Sequence, residues 1–152
     1  MATISGSYSG DGAFTACGTK TTVGGAVNFQ TGTFNHNGGT FVLNGNSLTC
    51  KTDGTTVFNN LEIGVTSAAS SVSVTNKMNV DGNMTNRRQL IVNQDCEFKG
   101  DVQTVQSMTV KGTAKFSGTS AQKLYGAASF TAGTLECANT FAGVSPDPRG
   151  LF

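Results

Sequence analysis

From Val72 onward, a small or apolar residue recurs at every sixth position without a break: Val72, Met78, Met84, Leu90, Cys96, Val102, Met108 and Ala114. Two residues further on in each hexad stand Val74, Val80, Asn86, Val92, Phe98, Thr104, Val110 and Phe116, with a polar residue only at every third step. In an extended strand, residues i and i+2 point to the same face, so each pair faces inward and the residue between them faces out. The residues between are Ser73, Asn79, Thr85, Ile91, Glu97, Gln103, Thr109 and Lys115, and all but Ile91 are polar.

The other three residues of each hexad must turn the chain. They read TNK, DGN, RRQ, NQD, KGD, VQS, KGT and SGT. Gly82, Gly100, Gly112 and Gly118 share one slot, which suggests corners with a positive φ that costs glycine little. The polar inward residue returns after three hexads, so the true unit is a coil of about 18 residues with three short strands and three corners. The expected fold is therefore an all-β, single-chain triangular β-solenoid, with coils stacked at ~4.8 Å by parallel strand pairing. One face should carry Val72/Val74, Leu90/Val92 and Met108/Val110, and a second Met78/Val80, Cys96/Phe98 and Ala114/Phe116, which puts Phe98 under Phe116. The third, with Met84/Asn86 and Val102/Thr104, requires partners for its two polar groups, since a buried unmet amide costs about 1–3 kcal/mol.

Upstream, Thr55, Val57, Leu61, Ile63 and Val65 match Val72, Val74, Met78, Val80 and Gly82 at a spacing of 17. Earlier pairs at Val27/Phe29, Phe34/His36, Phe41/Leu43 and Leu48/Cys50 are separated by Gly/Asn-rich corners and fit less regular coils. Residues 1–140 are thus expected as one domain, with 1–22 as an N-terminal cap, 23–118 as coils and 119–140 as an irregular C-terminal coil or cap. Residues 141–152, FAGVSPDPRGLF, hold both prolines and no alternation, and are expected as an extended arm that docks on a neighbour.

Only 12% of the chain is charged and the formal net charge is +1, so no long-range field favours nucleic acid or an anionic membrane. The start, MATISGSYSGDG, has neither a basic n-region nor an apolar h-region, and the expectation is a chain made and folded in a cytoplasm. Cys17, Cys50, Cys96 and Cys137 form no CxxC or Cys/His cluster and read as free thiols acting as small hydrophobes, with no metal and no other cofactor expected. His36 is the only histidine, in FNHNGG, where a structural role outweighs that of a catalytic base. The acids Asp53, Glu62, Asp81, Asp95, Glu97, Asp101 and Glu136 suggest no catalytic pair, so the chain is expected not to be an enzyme. The candidate interface residues are the outward Ile91, the apolar corner residue Val105, the basic pair Arg87 and Arg88, and the terminal Leu151 and Phe152.

The stretch QLIVNQDCEFKGDVQTVQSMTVKGTAKFSG resembles the short-period β-solenoid of bactofilins, which are polymer-forming bacterial cytoskeletal proteins. It resembles equally the TVxGxAxFxG modules of bacteriophage fibres and other virion proteins. GTFNHNGGTFVLNG and TTVFNNLEI are similar to Gly/Asn-rich repeats of phage structural and bacterial surface proteins. Acyltransferase hexapeptide repeats fit less well, because Ser73, Asn79, Thr85, Ile91 and Glu97 stand where that family has its signature glycine. The resemblance implies a virion structural protein of a tailed phage, assembled in the host cytoplasm, of the head decoration or cement type. It implies a homo-oligomer such as a trimer, bound to a major capsid protein or another virion protein. The alternatives are a bactofilin-like filament protein and a surface adhesin or tail-fibre module.

Overall fold

Residues 1–139 are described by a computed structural model, and they contain strands, turns and bends but no helix. The chain winds through seven coils, each visiting three strand positions. The first coil is β1 (Ala2–Ile4), β2 (Tyr8–Ser9) and β3 (Ala13–Thr15), and the second is β4 (Lys20–Val23), β5 (Val27–Asn28) and β6 (Thr33–Asn35). The third is β7 (Thr40–Leu43), β8 (Leu48–Lys51) and β9 (Val57–Phe58); the fourth is β10 (Asn60–Ile63), β11 (Ser71–Val74) and β12 (Met78–Val80). The fifth is β13 (Met84–Asn86), β14 (Gln89–Val92) and β15 (Cys96–Phe98). In the last two coils, β16 (Val102–Thr104) precedes β17 (Met108–Phe116), and β18 (Leu124–Gly126) precedes β19 (Phe130–Cys137). Here β17 and β19 each run through a corner and serve two positions.

Every pairing between these strands is parallel. The first stack runs β1-β4-β7-β10-β13-β16-β18, taking every first strand of a coil in order. The second runs β2-β5-β8-β11-β14 and on to the start of β17 and β19, while β12, β15 and the ends of β17 and β19 belong to the third. The chain is a β-solenoid. Its register follows from side-chain chemistry: a slip by one residue would turn each apolar pair out to water and each polar residue into the core.

In the regular half, Val72 pairs with Leu90 and Leu90 with Met108, while Val74, Val92 and Val110 line up beside them. Met78, Cys96 and Ala114 form the next column, with Val80, Phe98 and Phe116 beside it. Met84 stacks under Val102, and all of these side chains are buried. The Phe98 and Phe116 rings lie 5.3 Å apart. The polar inward pair is satisfied across coils. Asn86 Nδ2 donates to the Gln106 and Ser107 carbonyls at 2.9 and 3.2 Å, and Thr104 Oγ1 lies 3.3 Å from the Ala128 carbonyl.

Three sequence expectations are corrected. Gly82, Gly100, Gly112 and Gly118 do not adopt positive φ; among the described glycines that geometry belongs to Gly38, Gly54, Gly64 and Gly126. The slot needs glycine because coils meet there: a Cβ on Gly100 would collide with the Gly82 carbonyl, and one on Gly118 with the Lys99 carbonyl oxygen. Gly100→Ala is therefore expected to destabilise the fold by about 1–3 kcal/mol through overpacking, read as a lower midpoint in urea with unchanged slope.

The 17-residue alignment upstream is also wrong. Val57 pairs with Asn79 and Phe58 with Val80, so Phe58 is the buried residue; Leu61 and Ile63 lie beside Met84 and Asn86. The turn 52–56 lengthens the third coil and the segment 64–70 the fourth, and hydrophobicity alone cannot count residues in a corner. Finally, residues 1–22 are not a cap of another kind but begin the same solenoid, with β1 paired to β4 in parallel register, whereas 119–139 form a C-terminal coil as expected, with β19 paired to β17. The arm expected over 141–152 lies outside the described residues.

The N-terminal core is aromatic where the C-terminal one is aliphatic. Phe41 is sealed among the rings of Phe14, Phe29, Phe34 and Phe58, with centroids 5.3–6.1 Å away.

Candidate functional site

A solenoid whose interior is packed can act only through its corners, outer faces and ends. One corner, between the third and first stacks, is a side-chain ladder. Asn60 Oδ1 accepts the Asn83 N–H at 2.8 Å, Asn83 Oδ1 the Asp101 N–H at 2.9 Å, and Asp101 Oδ1 the Lys123 N–H at 2.8 Å. Asp95 accepts the Thr113 N–H at another corner at 2.7 Å. His36 Nδ1 accepts the Gly38 N–H at 3.0 Å in the turn where Asn37 and Gly38 have positive φ. These candidate chemical groups thus hold backbone.

Asp53 does the same within its own turn, accepting N–H bonds from Thr55 at 2.9 Å and Thr56 at 2.6 Å and bonds from both hydroxyls. Partial burial opposes its ionisation, but these four bonds outweigh that and pull the carboxyl from 3.8 down to about 2. A lowered folded pKa means that the charged turn stabilises the fold above the ordinary carboxyl range and that this contribution fades as pH falls toward 2. Asp53→Ala is accordingly expected to lower the melting temperature at pH 7, and the deficit to shrink between pH 4 and 2 in a thermal-melt series.

The basic pair divides. Arg87 Nη1 lies 3.4 Å from Glu62 Oε2, which also meets Lys20 Nζ at 3.1 Å. The Lys20–Glu62 bridge spans from β4 to β10 across β7, where Val42 sits in register between Thr22 and Glu62; Val42 is fully buried although it points outward. Arg88, expected as an exposed contact residue, is buried instead. Its side chain lies over Gly64, whose φ is +77°, donates from Nε to the Thr66 carbonyl at 3.2 Å and from Nη1 to Asn46 Oδ1 at 2.8 Å, and bonds Ser70. It fastens the long corner 64–70 to the stack. The guanidinium's fan of donors suits two acceptors in that corner and a third, Asn46, on the coil before it.

The outward line of the third stack is charged. Glu97, Lys115 and Glu136 are in register, Lys115 Nζ lies 3.2 Å from Glu136, and Lys77 Nζ lies 3.5 Å from Glu97. The Ser117 hydroxyl, then Lys77, hold Glu97 below the usual carboxylate range despite partial burial. These groups line a shallow groove of about 150 Å³ with Asp95 and Thr113. At the next corner Asp81 and Lys99 pair at 2.8 Å, and that hydrogen bond raises the Lys99 pKa.

Ile91 faces outward and is half-buried, and Val105 is exposed at its corner. Leu151 and Phe152 lie outside the described residues. All four thiols are free. Cys50 and Cys96 are buried, which pushes the Cys50 thiol up to about 12 and the Cys96 thiol up as well. Cys17 and Cys137 depart from the buried expectation. A hydrogen bond to the Thr19 hydroxyl, 3.3 Å away, leads the interactions that bring the Cys17 thiol down to about 6. Alkylation of Cys17 by iodoacetamide is expected to rise with a midpoint near pH 6, while Cys50 and Cys96 react only after denaturant is added; mass mapping of the labelled peptides reads both.

At the two ends of the described stack, inner positions lose their cover. Leu135 and Cys137 follow Ala114 and Phe116 in column, yet Leu135 is 41% exposed and Cys137 is exposed. At the other end Ile4, Tyr8 and Phe14 are only half-buried. One further feature was open to sequence reasoning but missed. Sorting the outward residues by face separates Ser73, Ile91 and Thr109 from the polar and charged lines; a step of 18 was enough to find it.

Comparison of the chain with family models, with curated proteins and with solved structures gave no match.

Proposed function

We propose that this protein is a non-enzymatic structural component of a virion, a capsid decoration or cement protein that stabilises a phage head through contacts with the capsid lattice and with copies of itself. The observation that carries the reading is the pair of stack ends, where core-column residues such as Leu135 meet solvent beside strand edges. Exposed apolar positions next to unpaired strand edges favour association. The Asp95 and Asp101 side chains support the same reading by their use in coil-to-coil bonds, and His36 by holding its own turn. The virion assignment itself rests on the repeat resemblance, as does assembly in a host cytoplasm. A specific observation also favours the filament reading: the first and last coils keep the parallel strand order of the interior, so one copy could extend the stack of another.

Negative-stain electron microscopy and sedimentation of the purified chain separate the two. Discrete oligomers that co-sediment with expanded phage capsids are the expected result. Extended filaments formed by the protein alone would overturn the decoration reading in favour of a bactofilin-like polymer.

A further inference from the structure

We infer that the C-terminal end of the described stack, at the outer edge of β19, seats the same end of a second copy across a two-fold axis, giving a closed dimer. The contact rests on the assembly reading above, in which stack ends associate, and adds which end and what partner.

The two ends are built differently. The first coil offers only β1, β2 and β3, of three, two and three residues, set between Gly6, Gly10 and Gly12. Edge strands as short as these are one way in which proteins blunt a sheet against pairing. Its inward side chains Ile4, Tyr8 and Phe14 are half-buried, and the Tyr8 and Phe14 rings close on each other at 4.6 Å. The last coil ends on β19, which runs eight residues from Phe130 to Cys137 and, among the described residues, pairs with β17 alone. It holds no proline or lysine to guard its edge, and its one charged group, Glu136, is drawn onto Lys115 at 3.2 Å.

Inside the stack, the inward residues of a third-stack strand turn their N–H and C=O toward the following coil. The Met78 N–H donates to the Asp95 carbonyl at 3.0 Å, and the Val80 carbonyl accepts the Lys99 N–H at 3.0 Å. Leu135 and Cys137 hold those places in the last coil, in register with Ala114 and Phe116. Their side chains are uncovered at the same spot: Leu135 is 41% exposed, whereas Ala114 beside it is fully buried. An apolar side chain of core kind thus stands next to backbone groups aimed along the axis, which is what an added strand takes up.

The difference between the ends selects the partner. A head-to-tail contact needs two open ends and does not stop at two copies, whereas one open end per chain pairs only with its own kind and closes. Two copies meeting across a two-fold axis bring their β19 strands together antiparallel, so that each supplies hydrogen bonds to the other's edge. Size agrees. Twenty-two residues separate Val102 from its partner Leu124 one coil on. At strand dimensions such a coil is roughly 60 Å round with a wall about 10 Å thick, so its end covers about 600 Å². Counted over both copies that is about 1,200 Å², the lower end of the range for stable specific interfaces.

The test is sedimentation velocity of the full chain, of Leu135→Arg and of Val65→Arg, the last replacing a comparably exposed apolar residue at a corner of the fourth coil. Circular dichroism melts matching the parent's show that both variants fold. The expected result is a dimer for the parent and for Val65→Arg, and at least a tenfold weaker dimer for Leu135→Arg. Equal dimerisation of Leu135→Arg overturns the inference, as do filaments, which need both ends. A monomeric parent overturns it too, and slow hydrogen exchange in β19 of that monomer hands the edge to residues 140–152 of the same chain. Co-sedimentation with expanded capsids is read separately. A monomer that binds capsids sinks the dimer and leaves the decoration reading, whereas a Leu135-dependent dimer that ignores capsids supports the dimer and sinks that reading.

Discussion

Val92→Asp unfolds the regular half of the solenoid. Val92 is fully buried, stacked between Val74 and Val110 on parallel strands, and no cation faces inward along that column. A carboxylate there loses its hydration without a partner, so the site keeps the group neutral or does not form. The expected cost is at least about 4 kcal/mol, comparable with the whole stability of many domains. Because burial raises the pKa of the introduced carboxyl, its folded-state value lies above the unfolded one. Any residual stability should therefore be greatest at acidic pH and vanish as pH rises toward neutrality. Circular dichroism melts at pH 4 and pH 7 read both effects; an unchanged melting temperature at pH 7 would refute the inward assignment.

Phe41→Ala is expected to cost about 3–5 kcal/mol, because it removes a sealed ring from contact with four others and leaves a cavity that flat, hydrogen-bonded strands cannot collapse to fill. In a stack whose coils touch only their neighbours, the damage should stay local. Hydrogen exchange is expected to accelerate in β4, β7 and β10, which flank the cavity, while β14 and β17 keep their protection. Uniform loss of protection along all seven coils would show that the solenoid melts as one unit.

Val92 and Phe41 differ in how far the sequence alone places them. Val92 could be placed from the sequence because its hexad is complete on both sides, and every neighbour in the column obeys the same count. Phe41 could be recognised as an inward residue of a coil but not assigned its ring partners, since those depend on corners of unequal length. The error at Val57 has the same origin. Its coil was aligned on apolar residues, and the Asp53 turn and the 64–70 corner moved the register so that Phe58 took the buried place.

The corner glycines show a second limit. Their recurrence was visible, but the reason inferred, a positive φ, was a local one, and the operating reason is the close approach of the adjacent coil. Arg88 failed likewise. In the sequence it is one of two adjacent cations, equally suited to solvent; only the path of the corner over Gly64 brings three acceptors around it and takes it out of contact with partners.

By itself, then, the sequence determined the solenoid: its three-strand coil, the inward columns from Val72 to Phe116 and the outward polarity between them. A period of six repeated eight times leaves one way to bury every second apolar residue. Only the tertiary structure decided what the outside presents. Which outward residues share a line, whether Lys20 reaches Glu62, and that Arg88 is buried all depend on stacking coils of unequal length. Contacts between coils join residues some twenty positions apart, and a corner can add or omit residues without disturbing the hydrophobic pattern from which the fold is read.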